Sequence, residues 1–315
     1  MTTDSALEAA DSALEAATAQ VEAARASGRV PVVRTFFDEA TNTATHVAHD
    51  PATRRAAIID SVHDFDQPSG RTTHGSADAI IAYVREQGLT VDWQIETHAH
   101  ADHLSDAPYL QDALGGKLII GREIVTVQGV FAGVFNESAN LARDGSQFDR
   151  LIGDGEQFKL GELDVIALHV PGHTPACMAY IIGDAAFVGD TLFMPDYGTA
   201  RADFPGGDAR TLFRSIRRLL ALPSETRVFL CHDYKAPGRD EFVWETTIGA
   251  ERTANVHVHD GVSEEDFVAM REARDKTLGM PRLILPSLQV NIRAGHLPEP
   301  EENGTRYLKL PLNLL

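Results

Sequence analysis

Three imidazoles and one carboxylate stand within six residues of each other, as His98, His100, Asp102 and His103. Neutral imidazole and carboxylate are the side chains that bind borderline transition metals. Three histidines so close together would destabilise a buried strand, and a solvated loop does not require them. The run therefore predicts the first half of a metal site.

Three later segments each end an apolar, β-rich run on a side chain of the same ligand types. His173 follows the run Val165–Val170, Asp190 follows Phe187 and Val188, and His232 follows Val228–Cys231. In layered α/β folds, functional residues collect at the ends of strands. We therefore expect these three side chains to complete the metal site.

The order of these seven ligand-type residues resembles the metallo-β-lactamase superfamily, and the resemblance extends from about Arg34 to Val258. It implies an α/β fold of the αββα sandwich type. Two mixed β-sheets would pack face to face between outer helices, with the metal at one edge.

The pattern of apolar residues agrees with such a fold. Helices are predicted over His103–Leu114, which stops at a pair of glycines, and over Ala209–Leu222, which Asp208 would cap. A third helix would begin at Ser263 and extend to about Lys276. The predicted strands are Thr43–Ala48, Ala56–Ile59, Lys117–Ile120, Asp164–Val170, Ala176–Ile182, Ala185–Val188 and Arg227–Cys231.

Length and composition indicate one catalytic domain, residues 30–260, with an extension at each end; 315 residues with 43% hydrophobic content can bury a large core. Residues 1–29 are rich in Ala and Glu and repeat the heptapeptide DSALEAA, which favours a helix. We expect that helix to be an appended solvated helix or a frayed tail. Residues 261–315 would hold a helix and a tail packed on the same domain. Within them, Pro281–Asn291 is expected as an apolar loop or strand, and Leu308–Leu315 as a docked apolar strip.

The charge and the cysteine content exclude several classes of protein. With 28 basic and 46 acidic residues, the net charge of −18 argues against a nucleic-acid partner. Only Cys177 and Cys231 are present, which argues against a disulfide-built secreted domain. We interpret both as buried thiols, and strand alternation should point Cys231 away from the metal. No apolar run is long enough to span a bilayer, so we expect a cytoplasmic enzyme without a membrane partner.

The residues that flank the ligands indicate one branch of the superfamily. Gly189–Phe193, Tyr197–Gly207 and Cys231–Tyr234 look like a bacterial subgroup of the persulfide dioxygenases, also called sulfur dioxygenases. The resemblance implies oxidation of glutathione persulfide, or of a related low-molecular-weight thiol persulfide, by O2 to sulfite and the thiol. Such an enzyme would serve sulfide detoxification and would form a homodimer.

The resemblance also assigns the ligands. It implies one non-haem Fe(II) per chain, held by His98, His173 and Asp190, the two-imidazole and one-carboxylate set of ferrous oxygenases. The remaining four residues would orient these ligands through hydrogen bonds; they are His100, Asp102, His103 and His232. The same seven residues, with Asp190 bridging, form a two-zinc site in thioester hydrolases of the glyoxalase II type. Spacing does not choose between one iron and two zinc ions.

A substrate of the glutathione type carries two carboxylates, so the site needs cationic donors. Arg201 is the first candidate because a guanidinium binds a carboxylate through two hydrogen bonds. Tyr234, two residues after His232, could orient the thiol end, and the resemblance adds Arg252. For each of them, a surface or interface contact is the competing interpretation. A non-catalytic sulfur-binding protein is a third hypothesis, against which the complete ligand set argues.

Overall fold

The computed structural model describes residues 3–137 and 141–314. The strands of this part of the chain are β1 (Val32–Asp38), β2 (Thr43–His49), β3 (Arg55–Ile59), β4 (Asp64–Asp66), β5 (Arg71–Thr73), β6 (Thr90–Ile95), β7 (Lys117–Gly121), β8 (Arg150–Ile152), β9 (Gln157–Leu160), β10 (Leu163–His169), β11 (Met178–Ile182), β12 (Ala185–Phe187), β13 (Arg227–Phe229) and β14 (Glu245–Thr247). The helices are α1 (Thr3–Ser27), α2 (Gly75–Glu86), α3 (Ala107–Leu114), α4 (Ile124–Val134), α5 (Ala209–Leu220), α6 (Ile248–Ala254), α7 (Glu264–Asp275) and α8 (Ile284–Asn291), with a short 3₁₀ turn at Gly189–Thr191.

Two six-stranded mixed sheets make up the body of the fold. The first has the order β1-β2-β3-β6-β7-β8 and the second the order β14-β13-β12-β11-β10-β9, while β4 and β5 pair as a separate hairpin. Strands β3, β6, β7 and β8 are parallel to one another, and β12 is parallel to β13. The αββα sandwich expected from the sequence is confirmed.

Side-chain alternation explains why each sheet has helices on one face and its partner sheet on the other. In β10, Val165 and Ala167 belong to the core between the sheets, whereas Ile166 and Leu168 belong to the core under the helices. Successive strand residues point to opposite faces, so a strand that is apolar at every position must be covered on both sides. Helix α5 covers the second sheet, and α2 covers the first.

Helix α1 corrects the expectation of a solvated or frayed extension. Its residues Ala13, Ala17 and Val21 are buried in the same apolar core as α5 and β10. The side chain of Gln20 donates a hydrogen bond to the carbonyl of Ile181 at 2.9 Å, and Arg25 pairs with Asp184 at 3.1 Å. The small alanine side chains let the helix lie close to the sheet. The amphipathic pattern of the sequence did not by itself predict this packing.

The two predicted helix caps are confirmed. The Asp208 side chain accepts a hydrogen bond from the backbone N–H of Thr211, and Ser263 accepts one from Asp266. The helix expected from His103 begins only at Ala107, where Pro108 occupies the first turn. The preceding residues lie outside the helix, and among them Leu104 pairs with the chain at His63 in an isolated bridge.

The C-terminal segment differs from expectation at two places. The loop or strand expected over Pro281–Asn291 is the helix α8. The strip Leu308–Leu315 does not dock through its apolar side chains, since Leu310, Leu312 and Leu314 are 70%, 77% and 57% exposed; its contact with α8 is made by the backbone of Lys309, which is hydrogen-bonded to the side chain of Gln289. Among the described residues, no helix has both the length and the apolar character needed to cross a membrane.

The packing of α1 leads to a matched prediction. Ala17→Asp should lower the free energy of unfolding by about 3–5 kcal/mol because it places an uncompensated charge in the core. Ala19→Asp, two positions away on the exposed face of the same helix, should cost about 0.5–1 kcal/mol through helix propensity alone. Urea unfolding followed by circular dichroism compares the two variants. Equal midpoints would mean that α1 does not pack on the sheet in solution.

Candidate metal centre

The seven ligand-type residues come from four connections at one edge of the sandwich. The loop 98–103 follows β6, His173 follows β10, Asp190 lies in the 3₁₀ turn after β12, and His232 follows β13. The structure brings all of them together in two adjoining groups of potential metal ligands. β6 lies in the first sheet, whereas β10, β12 and β13 lie in the second, where β12 and β13 are neighbours and β11 separates β12 from β10.

The first group is His98, His173 and Asp190. Oδ2 of Asp190 lies 3.9 Å from Nε2 of His98 and 3.5 Å from Nε2 of His173. Nε2 of His98 and Oδ1 of Asp190 are buried without a hydrogen-bond partner among the described residues. An unsatisfied buried polar atom is costly unless another group pairs with it. The donor set and its orphaned atoms therefore fit a bound metal ion.

Both imidazoles of this group are held with the metal-binding nitrogen free. Nδ1 of His173 donates a hydrogen bond to the backbone carbonyl of Arg201 at 2.8 Å. This bond fixes the neutral tautomer that leaves the Nε2 lone pair available. Burial, together with His100 and His173 nearby, holds the pKa of His98 well below its usual range, so this imidazole is neutral at pH 7.

A buried carboxylate that sequence reasoning missed, Asp60, supports the ligand loop. It accepts hydrogen bonds from the backbone N–H of Thr97 at 2.7 Å, from the Thr97 hydroxyl at 2.8 Å and from Nε2 of His100 at 3.0 Å. The Thr97 hydroxyl in turn contacts Nδ1 of His98 at 3.0 Å. The sequence did contain a sign of this residue, because Asp60 follows the apolar strand β3 in the same way that Asp190 follows its own apolar run.

His100 is engaged by carboxylates on the side away from the first group. Its Nε2 lies 3.0 Å from Asp60 and 3.3 Å from Glu96. Burial by itself lowers the pKa of His100, but these two carboxylates outweigh it and raise that pKa well above its usual range. The Ser105 hydroxyl donates to the other Glu96 oxygen. His100 therefore anchors the loop to buried charge, whereas the sequence suggested that it orients the first group directly.

The second group surrounds Asp102. Its Oδ1 lies 3.4 Å from Nδ1 of His103, and its Oδ2 lies 3.1 Å from Nε2 of His232. Nε2 of His232 also lies 3.3 Å from Oδ1 of Asp190. With His100, these residues place four potential ligand atoms within 4.8 Å of one another. The donor set is thus compatible with one metal or with two.

Cys231 lies closer to the centre than strand alternation predicted. Its thiol is grouped with Asp190 and His232, within 4.8 Å of their ligand atoms. The alternation argument failed because β13 ends at Phe229, so the chain has left the strand conformation before Cys231. Both cysteines are free and buried, as expected.

The C-terminal segment also holds the ligand loop. Nδ2 of Asn291, at the end of α8, donates to the carbonyls of His100 and His103, both at 2.8 Å, and its Oδ1 accepts from the N–H of Ser105 at 2.9 Å. One buried amide therefore satisfies three backbone groups that the loop itself leaves unpaired. Sequence spacing over almost two hundred residues gave no sign of this contact.

A cleft of about 340 Å³ opens beside the first group and is lined by His173, Asp190 and Tyr234. The Tyr234 hydroxyl donates to Asp102 at 3.4 Å, and its ring stacks on that of His232. The volume falls in the lower part of the range for pockets that bind small molecules. Tyr234 therefore lies next to the candidate metal ligands and lines the cleft.

The three candidate substrate residues differ in their surroundings. Arg201 lines the cleft, but its guanidinium already makes a two-point contact with Asp203, at 2.6 and 2.8 Å. Arg252 does not line the cleft; it lies in α6 and pairs with Asp260 at 3.3 Å. Its predicted place at the cleft mouth is therefore corrected. The cleft-lining arginines that the sequence did not single out are Arg271, Arg274 and Arg282.

The support that Asp60 gives to the ligand loop can be tested by one isosteric change. Asp60→Asn should lower the affinity for metal by about 10–100-fold, because it removes the charge that holds Thr97 and His100. Asp50→Asn is the matched control, since Asp50 is also buried and also accepts backbone N–H groups, from Ala52 and Glu162. Metal titration of both refolded variants gives the affinities. Equal affinities in the two variants would contradict the assigned role.

Comparison with known proteins places this geometry in a family. The profile of the Metallo-beta-lactamase superfamily matches residues 52–232. A "Probable metallo-hydrolase" of Burkholderia pseudomallei (strain 1710b) is 55% identical over 90% of this chain and 99% of its own length. "Glyoxylase B2" of Dictyostelium discoideum is 46% identical over 90% of this chain and 97% of its own.

More distant similarity links the chain to persulfide dioxygenases. The mitochondrial persulfide dioxygenase ETHE1 of Mus musculus is 29% identical over 86% of this chain and 91% of its own. The crystal structure of ETHE1 from Myxococcus xanthus has 31% identity and a TM-score of 0.67, and covers 84% of this chain and 100% of that chain. On the matched profile and these relatives, the chain belongs to the metallo-β-lactamase superfamily.

Proposed function

We propose that this protein is an Fe(II)-dependent persulfide dioxygenase that oxidises glutathione persulfide, or a related thiol persulfide, with O2 and water to sulfite and the thiol. The observation that carries the proposal is the separation of the ligands into two groups. His98, His173 and Asp190 form a set with orphaned donor atoms. Asp102 lies between His103 and His232. We assign the single metal to the first group and a supporting role to the residues around Asp102.

The metal would be held by His98, His173 and Asp190. Ferrous iron in such a site would supply the redox chemistry, since two imidazoles and one carboxylate leave coordination positions for both O2 and a sulfur ligand. The protein supplies orientation through the Arg201 carbonyl on His173 and through the Thr97 hydroxyl on His98. The family likeness to ETHE1 supports the same choice of reaction.

The walls of the cleft suit a small anionic thiol derivative. Phe193, Tyr197 and Tyr234 form a mutually contacting aromatic group next to the ligands, which would give the sulfur end of the substrate an apolar wall. Tyr234 would orient the sulfur end of the substrate through its hydroxyl, next to Asp102.

Basic residues at the other end of the cleft would bind the carboxylates of the substrate. Arg274 and Arg282 are exposed and line the opening, so we assign the carboxylate contacts to them. Arg201 would contribute mainly through its ion pair with Asp203 and through its carbonyl. Guanidinium groups suit this role because they bind a carboxylate through two parallel hydrogen bonds.

A two-zinc thioester hydrolase of the glyoxalase II type is the second candidate. The buried Nε2 atoms of His103 and His232 have no hydrogen-bond partner in the described part of the chain, and both could bind a second metal. The similarity to Glyoxylase B2 favours this candidate. A homodimer in the cytoplasm belongs to our proposal in either case, and size-exclusion chromatography and cell fractionation test it.

The reaction itself separates the two candidates. Protein purified anaerobically and loaded with Fe(II) should consume O2 when freshly prepared glutathione persulfide is added, with sulfite formed in a matching amount. An oxygen electrode and sulfite analysis measure both quantities. The hydrolase would instead show no O2 uptake, two zinc ions per chain and turnover of S-lactoylglutathione.

The ligand assignment predicts unequal effects of two aspartates in the same site. Asp190→Ala should abolish iron binding, as should His98→Ala, because each removes a direct ligand. Asp102→Ala should leave much of the iron in place, since Asp102 would act on the imidazoles beside it. Iron per folded chain, measured by elemental analysis, compares these variants. If Asp102→Ala emptied the site as completely as Asp190→Ala, the single-iron assignment would be wrong.

A further inference from the structure

A second cluster of metal-ligand side chains lies outside the centre described above. His63, His74 and Asp106 offer three ligand atoms within 4.8 Å of one another. His63 follows β3, His74 precedes the first turn of α2, and Asp106 precedes that of α3. The sequence analysis gave none of the three a role, because they are separated along the chain and no motif connects them.

The two imidazoles present the same nitrogen to one carboxylate. Nδ1 of His74 donates a hydrogen bond to Oδ2 of Asp106 at 2.8 Å, and Nδ1 of His63 lies 3.6 Å from Oδ1. The rings are stacked 4.8 Å apart at an interplanar angle of 20°. Ligands about 2.0–2.1 Å from a tetrahedral zinc ion are separated by about 3.3 Å. From Oδ1 of Asp106, Nδ1 of His74 lies at 3.1 Å and Nδ1 of His63 at 3.6 Å, and these two separations bracket that value.

The cluster is buried at one end and open at the other. The side chains of His63 and Asp106 are 6% and 3% exposed, whereas that of His74 is 38% exposed. Nε2 of His63 is buried without a hydrogen-bond partner among the residues that the structure describes. A cleft of about 530 Å³ reaches His63 and Asp64 from solvent. A small cation could therefore enter without unfolding the protein.

The surrounding charges favour a cation. Burial, together with the nearby carboxylates of Asp64 and Asp78, outweighs the pairing with His74 and raises the pKa of Asp106 to about 6. Asp64 accepts hydrogen bonds from the backbone and hydroxyl of Ser76 at the start of α2. Asp64 and Asp78, which both lie at the start of α2, thus offset the positive end of that helix. Burial lowers the pKa of His63 to about 4, so at pH 7 this imidazole is neutral and its lone pair is free for a metal.

We propose that His63, His74 and Asp106 form a second, independent metal site that binds a zinc ion with a position left open for water. Two imidazole nitrogens and one carboxylate oxygen are a ligand set that zinc accepts. The ion would replace the proton now shared by His74 and Asp106. It would tie together the start of two helices and the segment that follows β3, and so stabilise the same region that carries Asp60.

Zinc content in a background without the main site tests this proposal. In an Asp190→Ala chain, equilibrium dialysis against micromolar zinc followed by elemental analysis should find one more zinc per chain than in the same chain that also carries His74→Ala. His296→Ala, which removes an exposed imidazole elsewhere, is the matched control and should leave the zinc content unchanged. Zinc should also raise the melting temperature of the control and not that of the His74 variant.

Asp106→Asn in the same background provides a second variant, because it keeps the size of the side chain and removes its charge. It should lose the same zinc ion while its circular dichroism spectrum remains that of the parent. Equal zinc content in the parent, the His74 variant and the Asp106 variant would overturn the proposal. So would a melting temperature that zinc raises equally in all three proteins.

Discussion

The hydrogen bonds that Asp60 accepts determine how the whole centre is built. This carboxylate is buried, and burial alone would raise its pKa, yet His100 and the Thr97 donors lower it. Its φ of 53° lies in the left-handed region, a conformation that costs an aspartate about 1 kcal/mol or more. A strained, buried charge persists only when its contacts require it. Here those contacts fix the loop that carries most of the ligands.

The two sheets give this loop its surroundings. The loop 98–103 leaves the first sheet, whereas His173, Asp190 and His232 leave the second. The metal centre thus bridges the sheets at one edge, where neither sheet alone could assemble it. The apolar core between the sheets fixes their separation, and the ligand distances depend on that separation.

The sequence predicted the parts of the molecule that local pattern controls. Apolar runs located strands such as Asp164–Val170 to within one residue of β10, and Asp208 marked the start of α5 because a cap acts within one turn. The seven ligand-type residues that the structure brings together were recognisable because ligand types at strand ends are informative. What escaped prediction depends on distant packing: α1 lying on the second sheet, the helical form of α8, and the cationic wall of the cleft. These features follow from tertiary contacts that no short window of sequence contains.

The contacts of Asn291 bear on the order in which parts of the chain can fold. A ribosome makes the loop 98–105 long before it makes residue 291, so for most of synthesis the loop lacks the amide that pairs its three backbone groups. The nascent chain can form both sheets through β14 and still have an imperfect ligand loop. The three backbone groups are paired only when Asn291 is in place. The geometry of the ligand loop therefore depends on a residue that the ribosome adds almost two hundred positions after the loop itself.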